Sequence, residues 1–432
     1  MNITQLHNLF LSHHVICTDT RKITKGCLFF ALKGEKYNAN LFANEAINNG
    51  AAYAIIDEKE YQLNEKTILV NNVLEALQQL AAFHRDTLKI PIIAIVGSNG
   101  KTTTKELLTS VLKQKFHVIA TPGNFNNHIG LPLTMLQITN KHDIAVIEMG
   151  ANHVGENALL CEIAKPNFGV ITNNGKDHLE GFGSMEGVAQ SNSELYYYLL
   201  KNNGIAFVNA NDEWLMRMAR QLDNKITYAA NFDGTNGKAN ITCYAKTLQP
   251  TIQFNIENNL ESVEANLSGD YNFDNVAVAV SMGLYFKMKP NEIAAGIKAY
   301  FPTNNRSEII IKESNTIYMD AYNANPSSVE VALKSFAAMP FSSKTIILGD
   351  MFELGKYAAE EHQNMVDLCN KLNLENVYLC GENYLKTNNN FHAFSSTNDC
   401  KEYLKINPLN KTNVFMKGSR SMRLEDLLDV IN

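Results

Sequence analysis

No apolar run in this chain approaches the roughly 20 residues that a membrane-spanning helix needs. The longest, such as IPIIAIV at 90–96, is strand-sized. Met1 to Phe10 contains no basic stretch followed by an apolar core, so no signal peptide is expected. An excess of positive charge is missing too. The formal net charge is −6, and nothing calls for a nucleic-acid backbone as partner. Cysteine pairs at C-x-x-C spacing are absent. The seven cysteines stand at 17, 27, 161, 243, 369, 380 and 400, and free buried thiols in a reducing cytosol are the expectation. There is no internal repeat, no low-complexity tail and no N-K-x-D guanine motif. What remains is ordinary globular composition, 45% hydrophobic and 19% charged, over 432 residues. That is too apolar for disorder, and at about 100–200 residues per domain it predicts two to four domains.

What is present is alternation. Up to about residue 80, GCLFFALKG and ANEAINNGAAYAIID read as short strands with a helix, and VLEALQQLAAFHRDT is a helix leading out. From about 90, the β-rich runs IPIIAIVG, FHVIATPG, DIAVIEMG, PNFGVITNN and GIAFVNAND alternate with helical stretches. Each ends in Gly, Asn or Asp, as expected of a parallel sheet with crossover helices. Ligands bind such sheets at the carboxyl ends of the strands. Between 225 and 268, KITYAA, ITCYAKT, TIQFNIE and SVEANLSG predict an antiparallel addition. After Arg306 a further alternating unit holds TIYMDAYNANP, KTIILGD, NVYLCGE and NVFMKGS. The predicted fold class is therefore α/β in three domains, at 1–84, 85–305 and 306–432, the last Rossmann-like.

The segment AIVGSNGKTTTKE, 94–106, carries the strongest chemistry. The common phosphate loop is G-x-x-x-x-G-K-S/T, and its first glycine position here is Ile95. What is left is the shorter G-x-x-G-K-T-T. A buried strand precedes it and an amphipathic helix follows. The backbone amides of Gly97, Ser98, Asn99 and Gly100, with the helix N-terminus, then face an anion. Lys101 reaches the β- and γ-phosphates, and Thr102 or Thr103 offers a hydroxyl to Mg²⁺. A glycine-rich turn with a chance lysine is the plain alternative.

Other segments read two ways. Glu148, in VIEMGANH, sits at a strand end as a Mg²⁺ ligand or a solvated carboxylate. His178, in ITNNGKDHLEGFGS, is a ligand or a structural histidine. Asn124, Asn126 and Asn127, in TPGNFNNHIGLP, donate to phosphate or carboxylate oxygens, or serve turn chemistry. Asn272 and Asn275, in GDYNFDN, face a ligand or cap a helix. Arg306, DAYNANPSS, LGDMFELG and KGSRS place three polar loops after three strands. An Arg and an Asp there complete an ATP site across a cleft when domains close.

Taken together these segments resemble the Mur ligase family, the ATP-dependent amide-forming enzymes of peptidoglycan synthesis, whose phosphate loop has this short form. GNFNNHIGLP, EMGANHVGE, GKDHLEGFGS, DAYNANPSS, LGDMFELG and KGSRS look like the branch that joins D-alanyl-D-alanine to UDP-N-acetylmuramoyl-tripeptide. DTRKITKGCLFFALKGEKYNANLF resembles that branch's uridine-nucleotide-binding domain. The resemblance spans essentially the whole chain. It implies ATP and Mg²⁺ as cofactors, the nucleotide-tripeptide and the dipeptide as partners, and a cytoplasmic monomer with no membrane insertion. It implies that Lys101, Glu148 and His178 are catalytic, with Thr102, Glu148 and His178 at Mg²⁺. Gly97 to Thr103, Asn275, Arg306 and Asp320 would bind ATP, with Asn275 on the adenine. Thr20 and Arg21 would hold the uridine end, Asn124 and Asn127 the reacting carboxylate or γ-phosphate, and Tyr322, Asn323 and Asn325 the dipeptide.

The resemblance breaks most sharply at one position. The family carries a carbamylated lysine in G-V-x-x-x-K-x-E that binds a second Mg²⁺. This chain reads GVAQSNSEL, and the lysine position is Asn192. Three outcomes stay open: Glu194 or a water substitutes, phosphate and substrate carry the metal, or the protein binds the nucleotide-peptide without turnover. Tyr271 stands where relatives often have His. YNANLF replaces an Asp-Gly-His pattern, which leaves Asn38 and Asn40 open as nucleotide-sugar contacts. A Mur-type ligase adding a single amino acid, or a folylpolyglutamate-type ligase, is the other enzymatic reading, and DAYNANP argues against both.

Overall fold

The computed structural model describes residues 1–231, 239–249, 251–256 and 262–431. Among these residues the strands form a four-stranded, a nine-stranded and a six-stranded sheet, with a two-stranded ribbon at 33–38. The first sheet runs Ile16–Cys17, Leu28–Phe30, Tyr53–Ile56, Thr67–Leu69, all parallel. The helix Val73–Thr87 leads from it to the central sheet. The buried Arg85 ties that helix down, donating to the carbonyls of Ala164, Lys165 and Leu88 and to Asn167 Oδ1.

In the central sheet Ile92–Val96 lies between Phe168–Ile171 and Ile144–Glu148. It is buried along its whole length, as a strand covered on both faces must be. The chain passes to one side of this strand for 118–148 and to the other for 168 onward. The carboxyl end of Ile92–Val96 thus opens at the point where strand order reverses, where α/β sheets bind ligands.

The antiparallel addition is narrower than expected. Lys225–Asn231 pairs parallel with Ile205–Asn209, and Ile241–Thr247 pairs parallel with Lys225–Asn231. Only Ile252–Ile256 and Ser262–Ala265 run antiparallel. Position 257, the end of the third expected strand, lies outside the described residues. Ile252–Ile256 and Ser262–Ala265 alternate between buried and open positions, whereas the second half of Lys225–Asn231 is buried without a break.

The third sheet runs Glu308–Lys312, Asn315–Asp320, Asn413–Lys417, Lys344–Gly349, Asn376–Cys380, His392–Phe394, and only its first strand is antiparallel. Asp320, Lys417 and Gly349 therefore end side by side. All seven cysteines are buried. Among the described residues no helix is long and apolar enough to cross a membrane.

The helix Lys101–Leu112 must keep its position for the loop before it to hold shape. It packs against Asp270–Tyr285 and Pro290–Ala299. A Cβ at Gly296 would stand 2.4 Å from Val111 Cα, and Ser110 Oγ donates to the Gly296 carbonyl at 2.7 Å. The contact is backbone against backbone and cannot yield. Gly296→Ala is expected to lose about 1–3 kcal/mol of stability, read by denaturant unfolding. An unchanged midpoint would contradict the close packing.

Candidate active site between the central and C-terminal sheets

The loop after Val96 is shaped by two glycines with left-handed backbone, Gly97 at φ 126° and Gly100 at φ 78°. A Cβ on Gly97 would lie 2.2 Å from Thr172 Oγ1, and one on Gly100 would lie 2.6 Å from Asn275 Oδ1. Only glycine fits either place. The loop is then pinned from the strand end beside it. Ser98 N donates to Asn173 O at 3.1 Å, Asn99 N to Asn173 Oδ1 at 3.0 Å, and Ser98 Oγ to Asp177 Oδ1 at 2.6 Å. Among the described residues no side chain caps the helix that starts at Lys101. Its first amides are the unpaired donors that suit an anion. The Lys101 ammonium lies folded on the carbonyls of Gly97 and Ser98.

Glu148 is 2% exposed, so it is no solvated strand end. Asn126 Nδ2 donates to its Oε1 at 2.8 Å. Lys105, fully buried, brings Nζ to 3.6 Å from Oε2 while donating to the carbonyls of Thr121 and Gly123. Oε2 has no hydrogen-bond partner among the described residues. His178 and Glu353 meet at 2.6 Å, Nδ1 to Oε2. The histidine beside it holds the Glu353 carboxyl below its ordinary range.

Asn275 is buried. Its Oδ1 accepts from Thr104 Oγ1 at 3.0 Å, and its Nδ2 donates to Asn272 Oδ1 at 3.2 Å. Neither asparagine caps the helix Asp270–Tyr285; both lie inside it. Asn127 Oδ1 accepts from the amides of Ile129 and Gly130, the turn chemistry anticipated for it.

From the C-terminal sheet, the Arg306 guanidinium stacks 3.6 Å above the Tyr322 ring, and Asp320 pairs with Lys417 at 2.5 Å. Asn325 caps the helix Pro326–Ala338 through Oδ1, and its Nδ2 donates to Asn99 Oδ1 at 2.8 Å. That bond ties the third sheet's loop to the phosphate loop. The result is one cavity of about 710 Å³, lined by Ser98 to Thr103, Asn124, Asn127, Glu148, His178, Asn275, Arg306, Asp320, Tyr322, Asn323 and Asn325. Gly97 shapes it from behind.

Thr20 and Arg21 lie apart, in the short turn Thr20–Lys22 of the first sheet's unit. Arg21 forks onto Asp19 with 86% of its side chain exposed. Asn40 is fully buried and exchanges two hydrogen bonds with Asp57, while Asn38 caps the following turn and donates to Glu58. Asn40 is thus internal and is no open ligand contact.

Residues 95–283 match the Mur ligase middle domain, 305–404 the Mur ligase glutamate ligase domain, and 12–85 the Mur ligase family catalytic domain. The UDP-N-acetylmuramoyl-tripeptide–D-alanyl-D-alanine ligase of Bacillus subtilis (strain 168) is 33% identical, over 96% of this chain and 92% of its own length. The chain belongs to the Mur ligase family. The enzyme of the same name from Escherichia coli (strain K12) is 31% identical over 98% of this chain and 95% of its own. Among solved structures, the MurF ligase of Thermotoga maritima in complex with ADP superposes with a TM-score of 0.86, at 25% identity and 97% coverage of both chains. MurF from Acinetobacter baumannii gives 0.85, at 28% identity, over 96% of this chain and 92% of that one.

In this Mur ligase Asn192 is buried behind the cavity wall and donates to Asn174 Oδ1 at 3.1 Å, leaving Asn174 Nδ2 buried and unpartnered among the described residues. Glu194 does not stand in for the missing anion. Its carboxylate accepts the amides of Gly155 at 2.6 Å and Ala158 at 2.8 Å. It is held at the N-terminus of the helix Glu156–Ala164, where a negative charge is favoured. Among the described residues no three His, Cys, Asp or Glu side chains converge on a metal position. A single Mg²⁺ nonetheless fits, because Mg²⁺ takes one or two carboxylates and completes its shell with substrate phosphates and water. Glu148 Oε2, which accepts no hydrogen bond among the described residues, is the donor such an ion requires.

Four residues that the sequence motifs did not single out belong to this construction: Lys105, Asp177, Glu353 and Lys417. Lys105 had a signal, a lysine one helical turn after Lys101 on the buried face. Replacing it removes the cation paired with Glu148. Lys105→Met is expected to cost about 3–5 kcal/mol. Adding Glu148→Gln is expected to return at least about 1 kcal/mol, measured by unfolding of the single and double variants. Strict additivity would contradict the pairing.

Proposed function

We propose that this Mur ligase joins D-alanyl-D-alanine to UDP-N-acetylmuramoyl-tripeptide using ATP, giving the pentapeptide precursor of peptidoglycan. The observation that carries this reading is the sharing of one cavity by the phosphate loop and the DAYNANPSS loop, bridged by Asn99 and Asn325. The chain works as three domains, 1–84, 85–305 and 306–432, and as a monomer. It acts in the cytoplasm.

A carboxylate is a poor electrophile. Its oxygen attacks the γ-phosphorus of ATP, ADP leaves, and an acyl phosphate forms. The dipeptide's amine attacks the acyl carbon, inorganic phosphate leaves, and the nitrogen loses a proton as the amide forms. The work of the protein is positioning and charge stabilisation. The amides of Gly97 to Gly100 and the Lys101 helix hold the phosphates. Lys101 turns from its loop carbonyls to the β- and γ-phosphates. Thr102, Glu148 and His178 hold Mg²⁺, which neutralises phosphate charge when bound. Asn275 takes the adenine, and Arg306 and Asp320 reach ATP from the C-terminal side. Asn124 and Asn127 face the reacting carboxylate. Tyr322, Asn323 and Asn325 receive the dipeptide, and Thr20 and Arg21 the uridine end.

Phosphate release, measured with and without each substrate, tests the reading. The natural chain is expected to release phosphate only with ATP, Mg²⁺, nucleotide-tripeptide and D-alanyl-D-alanine together, and to form the pentapeptide. With bicarbonate present, Asn192→Lys is expected to reach half-maximal rate at about tenfold lower Mg²⁺. A silent natural chain beside an active Asn192→Lys would instead mark a protein that binds the nucleotide-peptide without turnover.

A further inference from the structure

The contact between His178 and Glu353 joins two segments distant in sequence, and both residues hold unfavourable backbone. His178 has φ 45° and Glu353 φ 62°, a left-handed conformation uncommon outside glycine. Such strain persists only where surrounding contacts over-determine it. They do so here. Glu180 N donates to the Glu353 carbonyl at 3.1 Å, and Tyr357 Oη donates to the Gly183 carbonyl at 3.3 Å. Lys176 pairs with the buried Glu361 at 2.6 Å, and its amide donates to Ser327 Oγ at 2.7 Å. His178 and Glu353 both line the cavity. The imidazole meets the Glu353 carboxylate at Nδ1 and the Phe182 ring edge-on; among the described residues Nε2 carries no hydrogen bond.

We propose that Glu353 is a positioning residue for His178: its carboxylate accepts the Nδ1–H and so leaves Nε2 as the lone-pair nitrogen that serves the reaction site. A histidine that binds a metal characteristically donates its other N–H to a carboxylate, which fixes tautomer and ring orientation. Here that carboxylate comes from the C-terminal unit. One carboxylate of that unit therefore sets the chemistry of a side chain on the central unit. The inference rests on His178 serving the Mg²⁺ site.

The test uses the full chain, free of metal in EDTA, with ¹⁵N-labelled histidine and His178→Gln to assign the ring signals. The natural chain is expected to show His178 with Nδ1–H and a bare Nε2. Glu353→Gln, whose amide oxygen still accepts, is expected to keep that state. Glu353→Ala is expected to shift population to the Nε2–H form and to lower kcat about tenfold, with little change in KM for ATP. Lys176→Met loosens the same docking surface without touching the ring, and is expected to leave the tautomer unchanged. An unchanged His178 tautomer in Glu353→Ala, or equal rate losses in Glu353→Ala and Lys176→Met with no tautomer shift, would overturn the inference and leave Glu353 a mere clamp. If His178→Ala ligates at the natural rate, the assignment of His178 to the site fails instead.

Discussion

Two glycines that cannot carry a side chain fix the shape of the cavity. Gly97 presses on Thr172 and Gly100 on Asn275, so the loop's position is set jointly by the neighbouring strand end and by the helix Asp270–Tyr285. The hydrogen bonds that Asn99 and Ser98 donate to Asn173 and Asp177, and that Thr104 donates to Asn275, follow from that contact. Once the loop is placed, the N-terminus of Lys101–Leu112 points where a phosphate must sit. Lys105, one turn further, lands beneath Glu148. The counter-charge to that strand-end carboxylate is thus carried by the same helix that carries the loop lysine.

The remaining problem is charge. The proposed reaction brings a triphosphate toward a carboxylate, and like charges in a confined site repel. The cavity meets this with paired groups: Lys105 against Glu148 and Lys417 against Asp320. Arg306 is kept flat against Tyr322. Such groups are preorganised and need little rearrangement when charge moves. Lys417, Asp320 and Arg306 belong to the C-terminal unit, so the cavity is complete only while that unit's loops are docked. An acyl phosphate is exposed to hydrolysis, and a docked wall keeps water from it.

Much of this was legible in the sequence, and for a local reason. A strand, a glycine turn and a helix start are contiguous, so the phosphate loop shows its purpose in thirteen residues. The strand ends at Glu148, Ile171 and Asp320 are similarly local, and parallel-sheet logic places them on one edge. Partners across the chain were not legible. Nothing in GVAQSNSEL shows that Glu194 turns away to the helix Glu156–Ala164, or that Asn192 meets Asn174. Nothing in YNANLF shows that Asn40 is consumed by Asp57. The direction of Ile241–Thr247 was missed because alternation reports which faces are buried, not which way a neighbour runs. Glu353 lay inside a quoted motif, but its meaning came only from His178 on the other side of the cleft.

The central claim is that this chain activates a carboxylate by phosphorylating it within that cavity. The most direct measurement labels the terminal carboxylate of UDP-N-acetylmuramoyl-tripeptide with ¹⁸O and analyses the phosphate released during ligation of D-alanyl-D-alanine. Passage through an acyl phosphate transfers one labelled oxygen to each phosphate formed, in step with the pentapeptide. Phosphate released without label, or product formed without phosphate, would contradict it.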